Sequence, residues 1–162
     1  MISELTLFAD YHQIHLFDEG SSTDLADAWA GRAVDDQLAV AEDAMAVGTV
    51  ANLDVSVTVE IRDQPPADDF AYFDHVVEGS LRALSGRLVI MGCTDYEPDA
   101  ARFSVAPAWV RVRVSKSNMA AAGDADIDSG DDRATMERLK IQVWPAAPSP
   151  VVVPKRWTRH DS

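Results

Sequence analysis

The chain is poor in cysteine and in positive charge: it has one Cys, Cys93, and 14 Lys/Arg against 27 Asp/Glu in 162 residues. A single cysteine excludes an intrachain disulfide and a thiolate metal cluster, in agreement with a reducing compartment. No apolar run approaches the roughly 18 residues that a membrane helix needs, and the N-terminus has neither a basic start nor an apolar signal core. We therefore expect a cytoplasmic protein.

The shortage of positive charge is concentrated in residues 1–100, which carry 20 Asp/Glu against four Lys/Arg, a net charge of −16. Residues 101–162 carry seven Asp/Glu against ten Lys/Arg, a net charge of +3, which gives −13 for the whole chain. Such a protein should repel nucleic acid and membrane surfaces and attract basic partners. The alternative interpretation is that the acidity only keeps the protein soluble.

Clean alternation of apolar and polar residues predicts strands over 54–62 and 109–115. In the second of these, Arg111 and Arg113 should lie side by side on a solvent-exposed face. Weaker patterns predict further strands over 4–17 with a break near His12 and Gln13, and over 44–50, 71–78, 87–93, 102–105 and 139–143.

Two other stretches complete the predicted fold. Apolar residues recur every three to four positions within 24–42, which predicts the one short helix of the chain. Residues 74–96 hold two apolar runs separated by Gly79, Ser85 and Gly86, a pattern typical of a central hairpin. Regularly spaced short strands with turn signals between them predict an all-β fold, mainly an antiparallel β-sandwich of about eight strands.

The length suits a single domain, which we place at residues 1–145. Within it, residues 116–135 consist mostly of Ala, Gly, Ser and Asp, so we expect a mobile acidic loop. Residues 146–162 form a proline-rich and then basic tail, which cannot supply a central strand. Trp157, flanked by basic residues, could dock this tail onto the acidic body of its own chain or of a neighbour.

No residue pattern indicates catalysis or metal binding. His12 and His15 are three apart and diverge in a strand, and Cys93 ends an apolar strand where burial is expected. The aspartates that begin at Asp124 resemble a calcium loop, but Gly130 comes one position too late in that register. We therefore predict no catalytic residue, no metal and no cofactor.

Four segments carry a family resemblance: LTLFADYHQIHLFD at residues 5–18, residues 29–34, residues 44–49, and DHVVEGSLRALSGRLVIMGCTDY at residues 74–96. Together they resemble the competence protein J family, whose namesakes are described as inhibitors of a DNA-entry nuclease. The resemblance covers roughly residues 3–115. It implies a β-sandwich that acts by binding, and it brings no catalytic residues with it.

The resemblance and the charge together suggest a mechanism, in which a rigid acidic surface fills the basic cleft of a nuclease. We expect the partner to be a basic protein such as a nuclease, with no direct binding to nucleic acid or membrane. An interaction or immunity-type module with a different basic partner is the alternative, and a small hydrolase or metal-binding enzyme is the least favoured reading. The expected surface lies on turns and contains one aromatic anchor, Tyr96, in the set Asp18, Glu19, Asp95, Tyr96, Glu97 and Asp99.

Overall fold

A computed structural model of the chain describes residues 1–125 and 132–158. These residues form eleven strands and two short α-helices, α1 (Ala33–Asp36) and α2 (Met119–Asp124). The strands are β1 (Ile2–Phe8), β2 (Gln13–Asp18), β3 (Leu38–Val40), β4 (Ala44–Gly48), β5 (Asp54–Ile61), β6 (His75–Arg82), β7 (Arg87–Gly92), β8 (Ala101–Ser104), β9 (Trp109–Ser117), β10 (Arg138–Pro145) and β11 (Val152–Lys155).

The strands make two sheets, ordered β1-β5-β10-β9-β6-β11 and β3-β4-β2-β7-β8. Every pairing is antiparallel except that of β10 with β5, which is parallel. The inner faces of both sheets contribute to one apolar core, with Val57 and Ile141 from the larger sheet and Leu16 and Ile90 from the smaller one fully buried. Each such side chain contributes about 1.5–3 kcal/mol relative to full exposure. The predicted all-β sandwich is confirmed.

The helix predicted over 24–42 is much shorter in the structure. Residues Ala26–Ala28 form a single 3-10 turn, and α1 has one turn. It ends because Gln37 adopts a left-handed conformation with φ of 59°, after which the chain enters β3. The small apolar residues of this segment pack against the smaller sheet without a continuous helix, so their spacing was a misleading signal.

The predicted central hairpin over 74–96 is wrong in its pairing. Both strands form, but β6 pairs with β9 and β11, whereas β7 pairs with β2 and β8 in the other sheet. Residues 83–86 therefore cross between the sheets, and Gly86 supplies a φ of 74° at the turn. Turn residues and flanking apolar runs occur equally in a hairpin and in such a crossover.

Arg111 and Arg113 are buried, which contradicts their predicted exposure. They lie on the outer face of the larger sheet as the alternation requires, but the loop of residues 64–73 and the tail cover that face. The guanidinium of Arg113 lies 4.8 Å from the ring centroid of Phe70 and 2.8 Å from a carboxylate oxygen of Glu78, which also contacts Arg111 at 3.2 Å. The arginines thus hold the covering segments on the sheet.

Part of the predicted loop over 116–135 is ordered in the structure. Strand β9 continues to Ser117, and Met119 and Ala122 of α2 are buried. The calcium-like run and the expected mobility also involve residues 126–131, which lie outside the described residues. Within the described part of the chain, no helix is long and apolar enough to span a membrane.

Strand β11 of the tail pairs with β6 at the edge of the larger sheet. Beyond it, Arg156 donates to a carboxylate oxygen of Asp36 at 2.5 Å, and the backbone N–H of Trp157 donates to Nδ1 of His75 at 3.0 Å. The tail therefore docks onto the body of its own chain, one of the two arrangements expected from its basic residues.

Candidate protein-binding surface

Arg102 of β8 joins two acidic segments of the surface. Its Nε donates to Glu19 Oε2 at 2.7 Å, in the turn after β2, and a terminal nitrogen donates to Glu97 Oε1 at 2.7 Å. The other terminal nitrogen donates to the carbonyl oxygens of Glu97 and Ala100 at 3.2 and 2.9 Å. One guanidinium thus fixes the 93–100 loop against the β2 turn.

The 93–100 loop is also tied at its other end. The backbone N–H of Gly92 donates to Asp95 Oδ2 at 2.8 Å, and the Thr94 hydroxyl donates to Asp10 Oδ2 at 3.1 Å. The Cys93 thiol donates to the Asp10 carbonyl oxygen at 3.1 Å. A loop held at both ends loses little conformational entropy when it binds a partner.

Tyr96 projects from this loop with 71% of its surface exposed. Asp95 and Asp99 are exposed on the same loop, and the three residues line a groove of about 420 Å³ whose far wall includes Leu5 and Leu7 of β1. An aromatic ring and carboxylates beside an apolar groove are suited to binding a protein that combines basic and apolar groups.

The structure therefore brings Glu19, Asp95, Tyr96, Glu97 and Asp99 together, whereas the side chain of Asp18 is buried and does not belong to this surface. Asp18 is 8% exposed and accepts hydrogen bonds from the backbone N–H and the hydroxyl of Ser85, at 3.1 and 2.5 Å. Its carboxylate holds the crossover between β6 and β7. Asp18 has a structural role in the sandwich.

One contributor to this surface was missed in the sequence. Arg102 is the only Lys/Arg between residues 88 and 110, so its position among acidic residues was an available signal. Tyr11, next to the loop anchor Asp10, is 72% exposed with a φ of 56°, but it lines a different groove, with Trp29 and Val34. No sequence pattern predicted that conformation, because non-glycine residues rarely adopt it.

The Cys93 thiol beside this surface is not activated as a nucleophile. Burial raises the pKa of the Cys93 thiol, as do the carboxylates of Asp10 and Asp95, so the thiol stays protonated and weakly nucleophilic. Cys93 is half-buried rather than fully buried as expected. In residues 1–125 and 132–158, no group of three His, Cys, Asp or Glu side chains is placed to hold a metal ion.

Comparison with known proteins shows the fold. No protein-family model matches the chain, and no curated protein is significantly similar to it in sequence. The solved structure of ComJ, described as an inhibitor of the DNA-degrading activity of NucA from Bacillus subtilis, matches 90% of this chain and 99% of its own, with a TM-score of 0.66 and 14% identity. A structure described as crocagin biosynthetic gene J matches 91% of this chain and 98% of its own, with a TM-score of 0.64 and 23% identity. The chain thus shares the fold of ComJ, as the sequence resemblance predicted.

Proposed function

We propose that this protein is a non-catalytic inhibitor of a nuclease, and that it occupies the basic DNA-binding cleft of that enzyme with the surface formed by Glu19, Asp95, Tyr96, Glu97 and Asp99. The observation that carries the proposal is the set of hydrogen bonds from Arg102 to Glu19 and Glu97. These bonds hold in place the loop that presents the exposed Tyr96. The fold shared with ComJ, itself an inhibitor of a nuclease, supports the same function.

The physical argument has two parts. A net charge of −13 speeds association with a basic surface, and complementary charges favour the correct orientation. Affinity then depends on an anchor that is buried on binding, and a Tyr is well suited because its large ring has few rotatable bonds. Because carboxylates take the place of DNA phosphates, inhibition should weaken as salt concentration rises.

The test measures DNA degradation by the nuclease encoded in the same genome, at low salt, with increasing amounts of the purified protein. Tyr96→Ala should raise the inhibitory concentration roughly 30-fold, the loss expected when an aromatic anchor is removed. The matched control is Tyr72→Ala, because Tyr72 is 83% exposed and lies outside the proposed surface. Equal effects of the two changes, or no inhibition by the unmodified protein, would contradict the proposal.

A second variant distinguishes the effect of the loop held by Arg102 from the effect of charge attraction alone. Arg102→Gln makes the protein more acidic but releases Glu19 and Glu97 from their shared partner. If the ordered loop matters, inhibition weakens in spite of the added negative charge. Stronger inhibition by this variant would show that long-range charge alone determines binding.

The second candidate function is binding of a basic protein that is not a nuclease. The structure described as crocagin biosynthetic gene J shares the fold, and its description names no partner, so the fold by itself does not identify the partner as a nuclease. Affinity purification from the source cell, followed by mass spectrometry, distinguishes the candidates when it is done in parallel with unmodified protein and Tyr96→Ala. A nuclease recovered only with the unmodified protein supports the first candidate.

A further inference from the structure

The outer face of the larger sheet carries a grid of hydroxyl and cationic side chains. Ser56 and Ser117 flank Arg138 in one row across β5, β10 and β9. Thr58 and Ser115 flank Lys140 in the next row in the same way. Neighbouring rows on one face of a sheet lie close enough for their side chains to act on one ligand.

The grid forms the floor of a groove of about 370 Å³. Phe73 and Met136 give the groove an apolar wall, and Arg133 adds another cation. Arg133 and Arg138 make no ion pair with any residue in 1–125 or 132–158, whereas Lys140 contacts Asp69 at 3.2 Å. Among the described residues, Glu4 is the one acidic side chain in the lining, so this part of the groove is cationic in a protein of net charge −13.

Ser115 provides an independent indication of a ligand. The residue is 0% exposed, lines the groove, and has no hydrogen-bond partner for its hydroxyl among the described residues. Buried hydroxyls are normally paired, because an unpaired one has lost its hydration without compensation. A ligand oxygen on the groove floor would satisfy this hydroxyl once the side chains that cover it move aside.

We propose that this groove binds a small organic phosphate. Arg138 and Arg133 donate to phosphate oxygens, the Ser115 hydroxyl donates to a further oxygen, and the organic part packs on Phe73 and Met136. Guanidinium groups suit phosphate because their fork of donors matches its oxygens. The overall negative charge of the protein disfavours a nucleic acid chain. This site is separate from the surface proposed for nuclease binding and does not depend on it.

The test uses phenyl phosphate as a probe, with phenol and inorganic phosphate as comparisons, at constant ionic strength. Binding is followed by NMR through the backbone amides of β5, β9 and β10. We expect saturable shifts in these strands with phenyl phosphate, weaker binding of inorganic phosphate, and none with phenol. Absence of saturable binding by either phosphate compound would overturn the proposal.

Matched variants identify the residues that bind. Arg138→Gln should weaken binding about tenfold or more, the loss of one charged hydrogen-bond donor. Arg32→Gln removes the same charge from the exposed surface near α1 and should leave affinity unchanged. Glu4→Gln should tighten binding because it removes a like charge. Equal losses for Arg138→Gln and Arg32→Gln would show that phosphate responds only to net charge, and would refute the site.

Discussion

Lys116 and Glu137 form a fully buried ion pair, with Nζ and Oε2 2.7 Å apart and both side chains 0% exposed. The Lys116 ammonium also donates to the Gly48 carbonyl oxygen at 2.7 Å. The other oxygen of Glu137 accepts the N–H groups of Val50 and Ala51, at 2.8 and 3.0 Å. Burial lowers the pKa of Lys116 and the carboxylate opposes that shift. The pair fastens the segment after β4 to the edge of the core.

Removing one member of this pair should be costly. Lys116→Met leaves the Glu137 carboxylate buried without its counter-ion, and we expect the free energy of unfolding to fall by about 3–5 kcal/mol. Urea denaturation measures this loss. Glu42→Gln is the control, because its exposed pair with Arg82 should contribute little. A similar small effect from both changes would show that the buried pair is not important for stability.

The alternation of buried and outward residues in the sequence indicates that both members of this pair are buried. Lys116 continues the parity of the buried Val110, Val112 and Val114, and Glu137 lies two residues before Leu139 on the buried face of β10. A charged residue in a buried register predicts a charged partner. Arg111 and Arg113 show the limit of the same method, because alternation assigns a face of the sheet and cannot show which other segments of the chain cover that face.

At the scale of elements, the tail and β6 are joined through His75. Its Nδ1 accepts a hydrogen bond from the backbone N–H of Trp157 at 3.0 Å. Its Nε2 therefore carries the proton and donates to the Asp36 carbonyl oxygen at 2.8 Å. Burial lowers the pKa of His75, and the nearby positive charges of Lys116 and Arg156 lower it further, although the Asp36 carbonyl and carboxylate oppose this. The neutral ring is therefore the form that holds the tail.

Acid should loosen the tail. Above the ordinary histidine pKa of about 6.5, both folded and unfolded chains are neutral at His75, and the contact is fully present. As pH falls below that value, the unfolded chain binds a proton at His75, whereas the folded chain, in which the pKa of His75 is lower, does not. The folded state therefore loses stability progressively until the pH has fallen below the lowered pKa. Protonated Nδ1 can no longer accept the Trp157 N–H.

Amide hydrogen exchange at Trp157 measures this effect. We expect protection of that amide to decrease as pH falls from about 7 to about 5, after correction for the intrinsic rate. His15→Gln is the control, because burial also lowers the pKa of His15, yet its ring contacts Gln13 rather than the tail. Constant protection across this range would contradict the role of His75.

The strand pattern was predictable at this scale and the connections were not. β5 and β9 were predicted from alternation because one face of each strand is apolar. β6 pairs with β9, and β7 pairs with β2, and both of these partners are distant in sequence. For the binding surface, the acidic residues Asp95, Glu97 and Asp99 with Tyr96 were named from the sequence, whereas their attachment through Arg102 depends on β8 lying next to β7.

At the scale of the whole molecule, the negative charge should reduce stability at low ionic strength. Carboxylates in excess repel one another in the compact state more than in the expanded unfolded chain. We expect the melting temperature to rise between low salt and about 0.15 M NaCl, where the screening length is about 8 Å. Calorimetry at both concentrations tests this. A fall in the melting temperature would show that salt-sensitive ion pairs outweigh the repulsion.

The position of β10 between β5 and β9 has a consequence for biosynthesis. A nascent chain that has emerged only to Ser117 can form the antiparallel ribbons β1–β5 and β6–β9, but it has no strand to connect them. The strand that completes the middle of the larger sheet is translated later than every strand except β11. During that interval both ribbons present unpaired edges, which are templates for pairing with other chains, so the risk of aggregation is highest before β10 emerges.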